Sequence, residues 1–145
     1  MSQLTMTKTE REQFLAGVHV GVLGIAADGR APLTVPVWYT YEPGGEVRFI
    51  TGGNSRKGVL LEQTGRASLC AQTETAPYQY VSVEGPVTIE QNVDADERRA
   101  IAHRYLGQEF GDAYYDATEA ESADSVTVRL TPERWLTVDY DKMFG

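Results

Sequence analysis

The chain has 145 residues, of which 41% are hydrophobic and 23% are charged, a composition typical of one soluble globular domain with its own core. Its formal net charge of -8 argues against general binding to nucleic acid or to anionic membranes, because both need a broad basic surface. No apolar run has the length of a membrane span, the first residues do not resemble a signal peptide, and the single cysteine, Cys70, excludes an intramolecular disulfide, so a cytoplasmic protein is expected.

The first part of the chain is predicted to form a short helix followed by strands that are joined by tight turns. A capping box over Thr7–Glu10 precedes a helix near residues 8–17. Apolar and alternating patterns then predict strands over 19–26, 33–41 and 46–51, with turns at Asp28-Gly29 and at 43–45. Pro36 lies inside the second strand, and a residue without an N–H group predicts a sheet edge, a bulge or a ligand contact there.

The second part alternates between helices and strands. A helix over 56–64 is predicted to end at Gly65, and strands follow over 66–73 and 78–90, the latter with a bulge at Gly85-Pro86. A cap signal begins a helix over 95–106 that stops at Gly107, a second short helix covers 110–118, and 119–124 is predicted to be a loop. Two last strands cover 126–130 and 135–139. Such short, closely spaced strands predict a barrel with a helical pair across one end.

The segment Thr51–Lys57, with the sequence TGGNSRK, carries the clearest binding signal in the chain. It lies between a predicted strand and a predicted helix, where glycines let the backbone approach a ligand closely. A helix start offers free N–H groups, and Arg56 and Lys57 add positive charge, so the segment favours an anion such as a phosphate. The spacing of neither a Walker A loop nor a dinucleotide-binding fingerprint is present.

Taken together, the order of these segments resembles the pyridoxamine 5'-phosphate oxidase-like split β-barrel. The matching runs are Gly-Val-Leu at 21–23, Pro-Val-Trp-Tyr at 36–39, Phe-Ile-Thr at 49–51, Ser-Arg-Lys at 55–57, Arg-Ala-Ser-Leu at 66–69 and Val-Glu-Gly-Pro-Val at 83–87. The short length of the chain and the Gly-Val-Leu-Leu run after Lys57 are most similar to the F420-dependent branch of the flavin/deazaflavin-dependent oxidoreductases. The resemblance implies a mainly β (α+β) fold, with about six strands and peripheral helices in a single cofactor-binding domain over 1–145.

The resemblance also implies a homodimer with two cofactor sites at the subunit interface, each holding F420 or, alternatively, FMN. By resemblance, Lys57 binds the phosphate, backbone groups of 36–38 run along the tricyclic ring, and Gln79 and Tyr80 close the site from the partner subunit. The full set of implied cofactor contacts is Pro36, Val37, Trp38, Ile50, Thr51, Gly52, Asn54, Ser55, Arg56, Lys57, Gln79 and Tyr80.

The function implied by this resemblance is hydride transfer from reduced F420 to a small unsaturated or apolar substrate. An FMN-dependent oxidoreductase is the first alternative, and a non-enzymatic carrier of a flavin or tetrapyrrole is the second. The tail DYDKMFG lacks an arginine-rich motif, which argues against oxidation of pyridoxamine 5'-phosphate itself. Few basic residues are left to hold an anionic cofactor tail; the candidates are Arg48, Arg66 and Lys8.

No side chain is assigned a catalytic role, because the cofactor supplies the chemistry in such enzymes. His19 is interpreted as structural, His103 as a surface residue and Cys70 as a small core side chain, and no metal site is expected. For Trp38, a cofactor contact and a place in the barrel core are equally consistent with the sequence. The tyrosines either line a substrate pocket or pack in the core and interfaces; they are Tyr78, Tyr80, Tyr105, Tyr114 and Tyr115.

Overall fold

A computed structural model describes residues 3–145 as a strongly curved antiparallel sheet with three α-helices. The strands are β1 (Gly21–Ile25), β2 (Leu33–Val37), β3 (Val47–Gly52), β4 (Arg66–Gln72), β5 (Gln79–Glu90), β6 (Ser125–Leu130) and β7 (Arg134–Asp139). The α-helices are α1 (Lys8–Ala16), α2 (Arg56–Thr64) and α3 (Ala95–Thr118), and two 3-10 helices cover Glu119–Asp124 and Tyr140–Met143.

The sheet has the order β2-β1-β4-β5-β6-β3, and β7 pairs with β5 beside this path. A single bridge between Thr40 and Arg48 links the chain after β2 to β3, with reciprocal backbone hydrogen bonds of 2.9 Å. The two ends of the sheet thus meet at one residue pair, and the rest of that junction stays open. This arrangement confirms the predicted split barrel, with seven strands instead of about six, and it confirms Pro36 on the edge strand β2.

Strand β5 is shared by the two halves of the barrel. Its first half pairs with β4 and β7, whereas residues 87–90 pair with β6. The register with β4 runs without a skip through Gly85 and Pro86, so the predicted bulge is wrong. Glycine is required here for another reason: a Cβ atom on Gly85 would lie 1.8 Å from the carbonyl oxygen of Thr131.

The core fills the inside of the barrel, and its residues alternate along the strands as the sequence pattern predicts. Leu23, Phe49, Leu69 and Val128 are completely buried. Cys70 lies between buried neighbours on β4 and therefore faces the other side of the sheet, where it is half-buried. The interpretation of Cys70 as a core side chain is wrong.

Helix α3 is a helical hairpin, because Gly107 breaks it with φ 81° and ψ 175°. This left-handed conformation suits glycine and lets the second arm fold back on the first. The arms approach closely at Gly111, which packs on His103, and His103 Nε2 lies 2.7 Å from Asp112 Oδ1. The two predicted helices and the stop at Gly107 are confirmed, whereas the predicted loop over 119–124 is a 3-10 helix.

Among residues 3–145, no helix is both long enough and apolar enough to cross a bilayer. The same residues contain no group of three or more His, Cys, Asp or Glu side chains positioned to hold a metal ion.

Candidate functional site

A cavity of about 560 Å³ lies where the ends of β2 and β3 meet the helical hairpin. Its size is within the range of small-molecule and cofactor pockets. Its lining comprises Val20, Pro36, Val37, Trp38, Ile50, Thr51, Gly52, Lys57, Arg98, Ile101, Ala102, Tyr114, Thr118, Glu121, Ser122 and Ser125. The cavity thus occupies the open junction of the barrel, where β2 and β3 are not paired with each other along their length.

One wall of the cavity is apolar and aromatic. The Trp38 ring stacks on Tyr105, with centroids 5.1 Å apart and an interplanar angle of 7°, and it contacts Tyr114 at the same centroid distance. Behind it, the Tyr105 hydroxyl accepts from the Tyr39 N–H, and its one proton lies within reach of the carbonyl oxygens of His19, at 2.7 Å, and Tyr39, at 3.0 Å. Trp38 therefore lines the cavity and packs against the hairpin, outside the barrel core, and its contact with a cofactor stays a prediction.

Thr51 contributes a buried polar atom without a partner. The residue is 5% exposed, and its Oγ1 has no hydrogen-bond partner among the described residues. A buried hydroxyl without a hydrogen bond costs about 1–3 kcal/mol, so native structures rarely retain one without a reason. Because Oγ1 itself has almost no exposed surface, Thr51 lines the cavity with its other atoms, and its hydroxyl does not face a ligand there.

The glycine loop, residues 52–55, is held against the start of α2. The Ser55 hydroxyl accepts a hydrogen bond from the Gly58 N–H at 3.1 Å and donates to the Gly52 carbonyl at 2.6 Å, which makes it the N-cap of the helix. Gly58 is buried, and a Cβ atom on it would lie 2.3 Å from the Gly52 carbonyl oxygen. The N-cap at Ser55 thus fixes where α2 begins, and with it the direction in which the Lys57 side chain projects from the helix.

The backbone donors of the glycine loop are already used in part by Asp124. The Gly53 N–H donates to the Asp124 carbonyl at 2.8 Å, and the Asn54 N–H points at the Asp124 carboxylate at 3.4 Å. The N–H groups of Arg56 and Lys57 have no partner within residues 3–145. An anion at this helix start would therefore use the first turn of α2 and the Lys57 side chain, and not the whole loop.

Two cations line the cavity, Lys57 and Arg98, and neither lies within 4.0 Å of a carboxylate in the part of the chain that is described. One acid, the exposed Glu121, lines the same cavity. These three side chains carry a formal charge of +1 in a chain of net charge -8. The polar end of the cavity thus favours an anion locally, against the charge of the whole protein.

The structure brings together seven of the residues that the sequence assigned to cofactor binding. They line the cavity and are Pro36, Val37, Trp38, Ile50, Thr51, Gly52 and Lys57. Asn54 lies instead in a second depression on the other side of the glycine loop, Ser55 caps α2 and Arg56 is exposed. Gln79 and Tyr80 lie on β5 opposite Asp139 and Val138, away from this chain's cavity. Their contribution from a partner subunit stays a prediction, as does the binding role of the whole set.

The candidates for holding an anionic tail do not line this cavity. Arg48 makes a two-pronged ion pair with Glu97, with N–O distances of 2.9 and 3.0 Å, and Arg66 pairs with Glu133 at 2.8 Å. Lys8 lies at the exposed start of α1. The cation that sequence reasoning missed is Arg98, one of two adjacent arginines on α3, and the sequence offered no sign of which of the two faces the cavity.

His19, His103 and Tyr105 make contacts inside the protein that leave them structural roles. His19 stacks on Phe14, its Nε2 lies 3.0 Å from the Phe14 carbonyl oxygen, and burial lowers the pKa of its imidazole. Burial raises the pKa of the Tyr105 hydroxyl, whose proton is already used inside the protein. Of the five tyrosines considered from the sequence, Tyr114 lines the cavity and is the one positioned to touch a ligand.

Comparison with known proteins identifies the sequence family. Residues 7–139 match the family described as pyridoxamine 5'-phosphate oxidase. No match is found among curated proteins.

Several solved structures have the same fold. A conserved hypothetical protein from Mycobacterium tuberculosis is 23% identical, with a TM-score of 0.80 over 100% of this chain and 92% of its own. An F420 reductase is 18% identical, with a TM-score of 0.69 over 86% of this chain and 94% of its own. A FAD-binding protein from Mesorhizobium loti is 19% identical, with a TM-score of 0.65 over 91% and 94% of the two chains. Identities this low demonstrate a shared fold alone.

Proposed function

We propose, from the premise that this chain belongs to the pyridoxamine 5'-phosphate oxidase family, that it is an F420-dependent oxidoreductase acting on a small unsaturated or apolar substrate. The observation that carries the proposal is the division of the cavity into two ends. Val37, Trp38 and Ile50 form an apolar end suited to a tricyclic ring, and Lys57 stands at the polar end beside the start of α2. The F420 reductase with the same fold supports the choice of cofactor.

The residues of the chain bind and orient, and the bound group does the chemistry. When bound, a reduced deazaflavin supplies a hydride to an unsaturated acceptor. The ends of β2 and β3 would contact the ring, and the helical hairpin would exclude water with Ile101 and Ala102, which are both buried. Lys57 and the free N–H groups of the first turn of α2 would hold the phosphate. The apolar wall favours a substrate without charge.

A second candidate is an FMN-dependent enzyme on the same fold. The cavity presents two cations, and three acids lie near its polar end: Glu119, Glu121 and Asp124. This distribution suits a ligand with one phosphate better than a ligand with a long anionic tail. It is the observation that favours FMN over F420.

The experiment for this site is a fluorescence titration of F420 and of FMN with the wild-type protein, Lys57→Gln and Arg56→Gln. Loss of a charge-assisted hydrogen bond should weaken binding by about 1.5–3 kcal/mol in Lys57→Gln. Arg56→Gln is the matched control, since it removes the same charge one residue away on an exposed side chain. Equal affinities in both variants would contradict the assignment of Lys57, and binding without turnover on any acceptor would favour a carrier.

We further propose a homodimer that buries the outer face of the β2-β1-β4-β5-β7 sheet. One row of directly opposed residues crosses these five strands without a single charge; it consists of Pro36, Val22, Cys70, Ser82 and Leu136. Within this row, Val22 is 42% exposed and Leu136 is 62% exposed. The apolar surface continues through the exposed Val20 into the cavity. A second copy is the occupant that this proposal commits to, because the row leads directly to the cofactor cavity.

Substitution of Val22 by Glu tests this surface. A carboxylate in the middle of an apolar interface should convert the dimer to a monomer, measured by size-exclusion chromatography with light scattering. Val59→Glu is the matched control, because Val59 is 41% exposed but lies on α2, away from the row. A wild-type protein that is monomeric at high concentration would contradict the proposal.

A further inference from the structure

The guanidinium of Arg98 is held in place but only partly used. Its Nη1 donates to the Thr118 hydroxyl at 3.1 Å and to the Tyr115 carbonyl at 3.4 Å, and the guanidinium carbon lies 3.8 Å from the centre of the Tyr115 ring. Its Nε and Nη2 have no hydrogen-bond partner among residues 3–145. The second arm of the hairpin thus orients a cation whose remaining donors are free.

This arrangement differs from that of other arginines in the chain. Four of them pair with carboxylates: Arg48 with Glu97, Arg66 with Glu133, Arg99 with Asp112, and Arg129 with Glu90. Arg99 is the nearest comparison, since it also stacks on Tyr115 and is adjacent in sequence. Of the two neighbours, Arg98 is the one that lines the cavity and has no acidic partner.

Ser125 connects Arg98 to the glycine loop. In the pairing of β3 with β6, Ser125 lies directly opposite Gly52, which precedes Lys57 by five residues. Ser125 and Arg98 also line a smaller depression together, next to the main cavity. No hydrogen bond of the Ser125 hydroxyl to residues 3–145 is present. A free hydroxyl donor therefore lines the same cavity as the two cations.

Charge differs between the two sides of the glycine loop because of the cations. Asp124 and Glu62 line the depression on the far side, and no Lys or Arg among residues 3–145 lines it with them. On the near side, Glu121 lines the cavity and Glu119 lines the smaller depression; all four acids are exposed, so water and salt screen their charges. Because Lys57 and Arg98 both line the near side, an anionic group of a ligand is favoured there over the far side.

We infer that Arg98 and Ser125 form an anion subsite beside Lys57, which binds the remaining oxygens of the ligand's phosphate or a carboxylate group further along the ligand. The planar guanidinium offers Nε and Nη2 as paired donors, a geometry that matches two oxygens of either group. This inference deepens the proposed function, and it rests on the assignment of a phosphate-bearing ligand to the same cavity. Arg98 is thereby a specificity residue for the anionic part of the ligand and not for its ring.

The first test compares ligands with and without the anionic group. Wild type, Arg98→Gln, Arg98→Lys and Ser125→Ala are titrated with FMN and riboflavin, and with F420 and its phosphate-free deazaflavin core. In Arg98→Gln, affinity for the phosphate-bearing form should fall roughly 10- to 100-fold, while affinity for the phosphate-free form stays within about twofold. Arg98→Lys should restore part of the loss, because it keeps the charge but not the paired donors.

Arg99→Gln is the matched control, since it removes a neighbouring arginine that also contacts Tyr115 and the second arm of the hairpin. A purely structural role of Arg98 would lower the melting temperature of Arg98→Gln and weaken its binding of the phosphate-bearing and phosphate-free ligands alike, and that result would contradict the inference. Wild-type flavin binding with unchanged affinity in Arg98→Gln would overturn the inference and leave the proposed function intact.

A second measurement does not depend on flavin binding. Inorganic phosphate and acetate are titrated separately into the protein, and the arginine side-chain Nε–Hε signals are followed by NMR. The Arg98 signal, assigned by its loss in Arg98→Gln, should shift at lower anion concentration than the Arg99 signal. The stronger of the two responses identifies phosphate or carboxylate as the preferred group. A selective shift without flavin binding would keep the subsite and reject the proposed function, and equal shifts of both arginines would overturn the subsite.

Discussion

The close contact between Gly58 and the glycine loop gives a prediction whose sign depends on the structure. Gly58 lies in the first turn of α2, where glycine is a poor helix former, so helix propensity alone favours Gly58→Ala by about 1 kcal/mol. The structure indicates the opposite result. A Cβ atom at this position would lie 2.3 Å from the Gly52 carbonyl oxygen and 2.8 Å from that of Gly53.

The expected magnitude follows from these distances. Ordinary contacts are roughly 3.5 Å, so the loop or the helix has to move by about 1 Å. Overpacking costs about 1–3 kcal/mol, and the upper end applies because both neighbours are backbone atoms that Ser55 holds in the cap. After the gain in propensity, we expect a net loss of about 2 kcal/mol. For a domain of this size that corresponds to a decrease in melting temperature of roughly 4–8 °C.

The assay is thermal unfolding followed by circular dichroism, with Val59→Ala as the control. Val59 is the next residue on the same helix and is exposed, so its replacement should leave the melting temperature unchanged or raise it slightly. A Gly58→Ala protein that melts as high as the wild type would refute the close approach of helix and loop. In that case the fixed direction of Lys57, on which the binding site depends, would also lose its support.

Two further predictions concern titration and charge. Burial lowers the pKa of His19 below 6.5, so between that lowered value and pH 6.5 only the unfolded chain takes up the proton. The stability tied to His19 is therefore complete above pH 6.5 and is lost as the pH falls through the lowered pKa of His19. Below pH 6.5 the melting temperature of His19→Gln should depend less on pH than that of the wild type, and parallel curves would contradict this. Glu121→Gln should tighten the binding of FMN by roughly 1.5- to 5-fold, because it removes a screened repulsion from the cavity. Glu62→Gln, on the far side of the glycine loop, is the control for that titration, and an equal gain in both variants would indicate a general charge effect.

Much of the fold could be predicted because local chemistry decides it. The capping box of Thr7 and Glu10 begins α1, and Gly65 ends α2 with φ 66°, as the sequence patterns indicated. Gly107 breaks the helical pair for the same reason, since a positive φ suits glycine. In each case the signal and the structure that it determines lie within a few residues of each other.

The bulge predicted at Gly85 was wrong because the reason for that glycine is not local. The residue that requires it is Thr131, which lies 46 positions later and approaches β5 from the connection between β6 and β7. A glycine before a proline is also typical of a bulge, so the sequence alone does not distinguish the two cases. Cys70 was misplaced by a related ambiguity: a run of small apolar residues gives no clear alternation, and the side that faces the core is set by the pairing of β4 with β1 and β5.

The candidate site shows the same division between local and distant causes. The sequence predicted the strand, the glycine loop, the cap and the Lys57 side chain, all within residues 50–58. It did not reveal that Asp124, 70 residues later, binds part of the loop's backbone donors. Because those N–H groups are occupied, side-chain cations have to do more of the anion binding than the loop motif alone indicated. If the proposed subsite is correct, the placement of Arg98 by the helical hairpin matters as much to the ligand's anionic end as the Ser-Arg-Lys motif does.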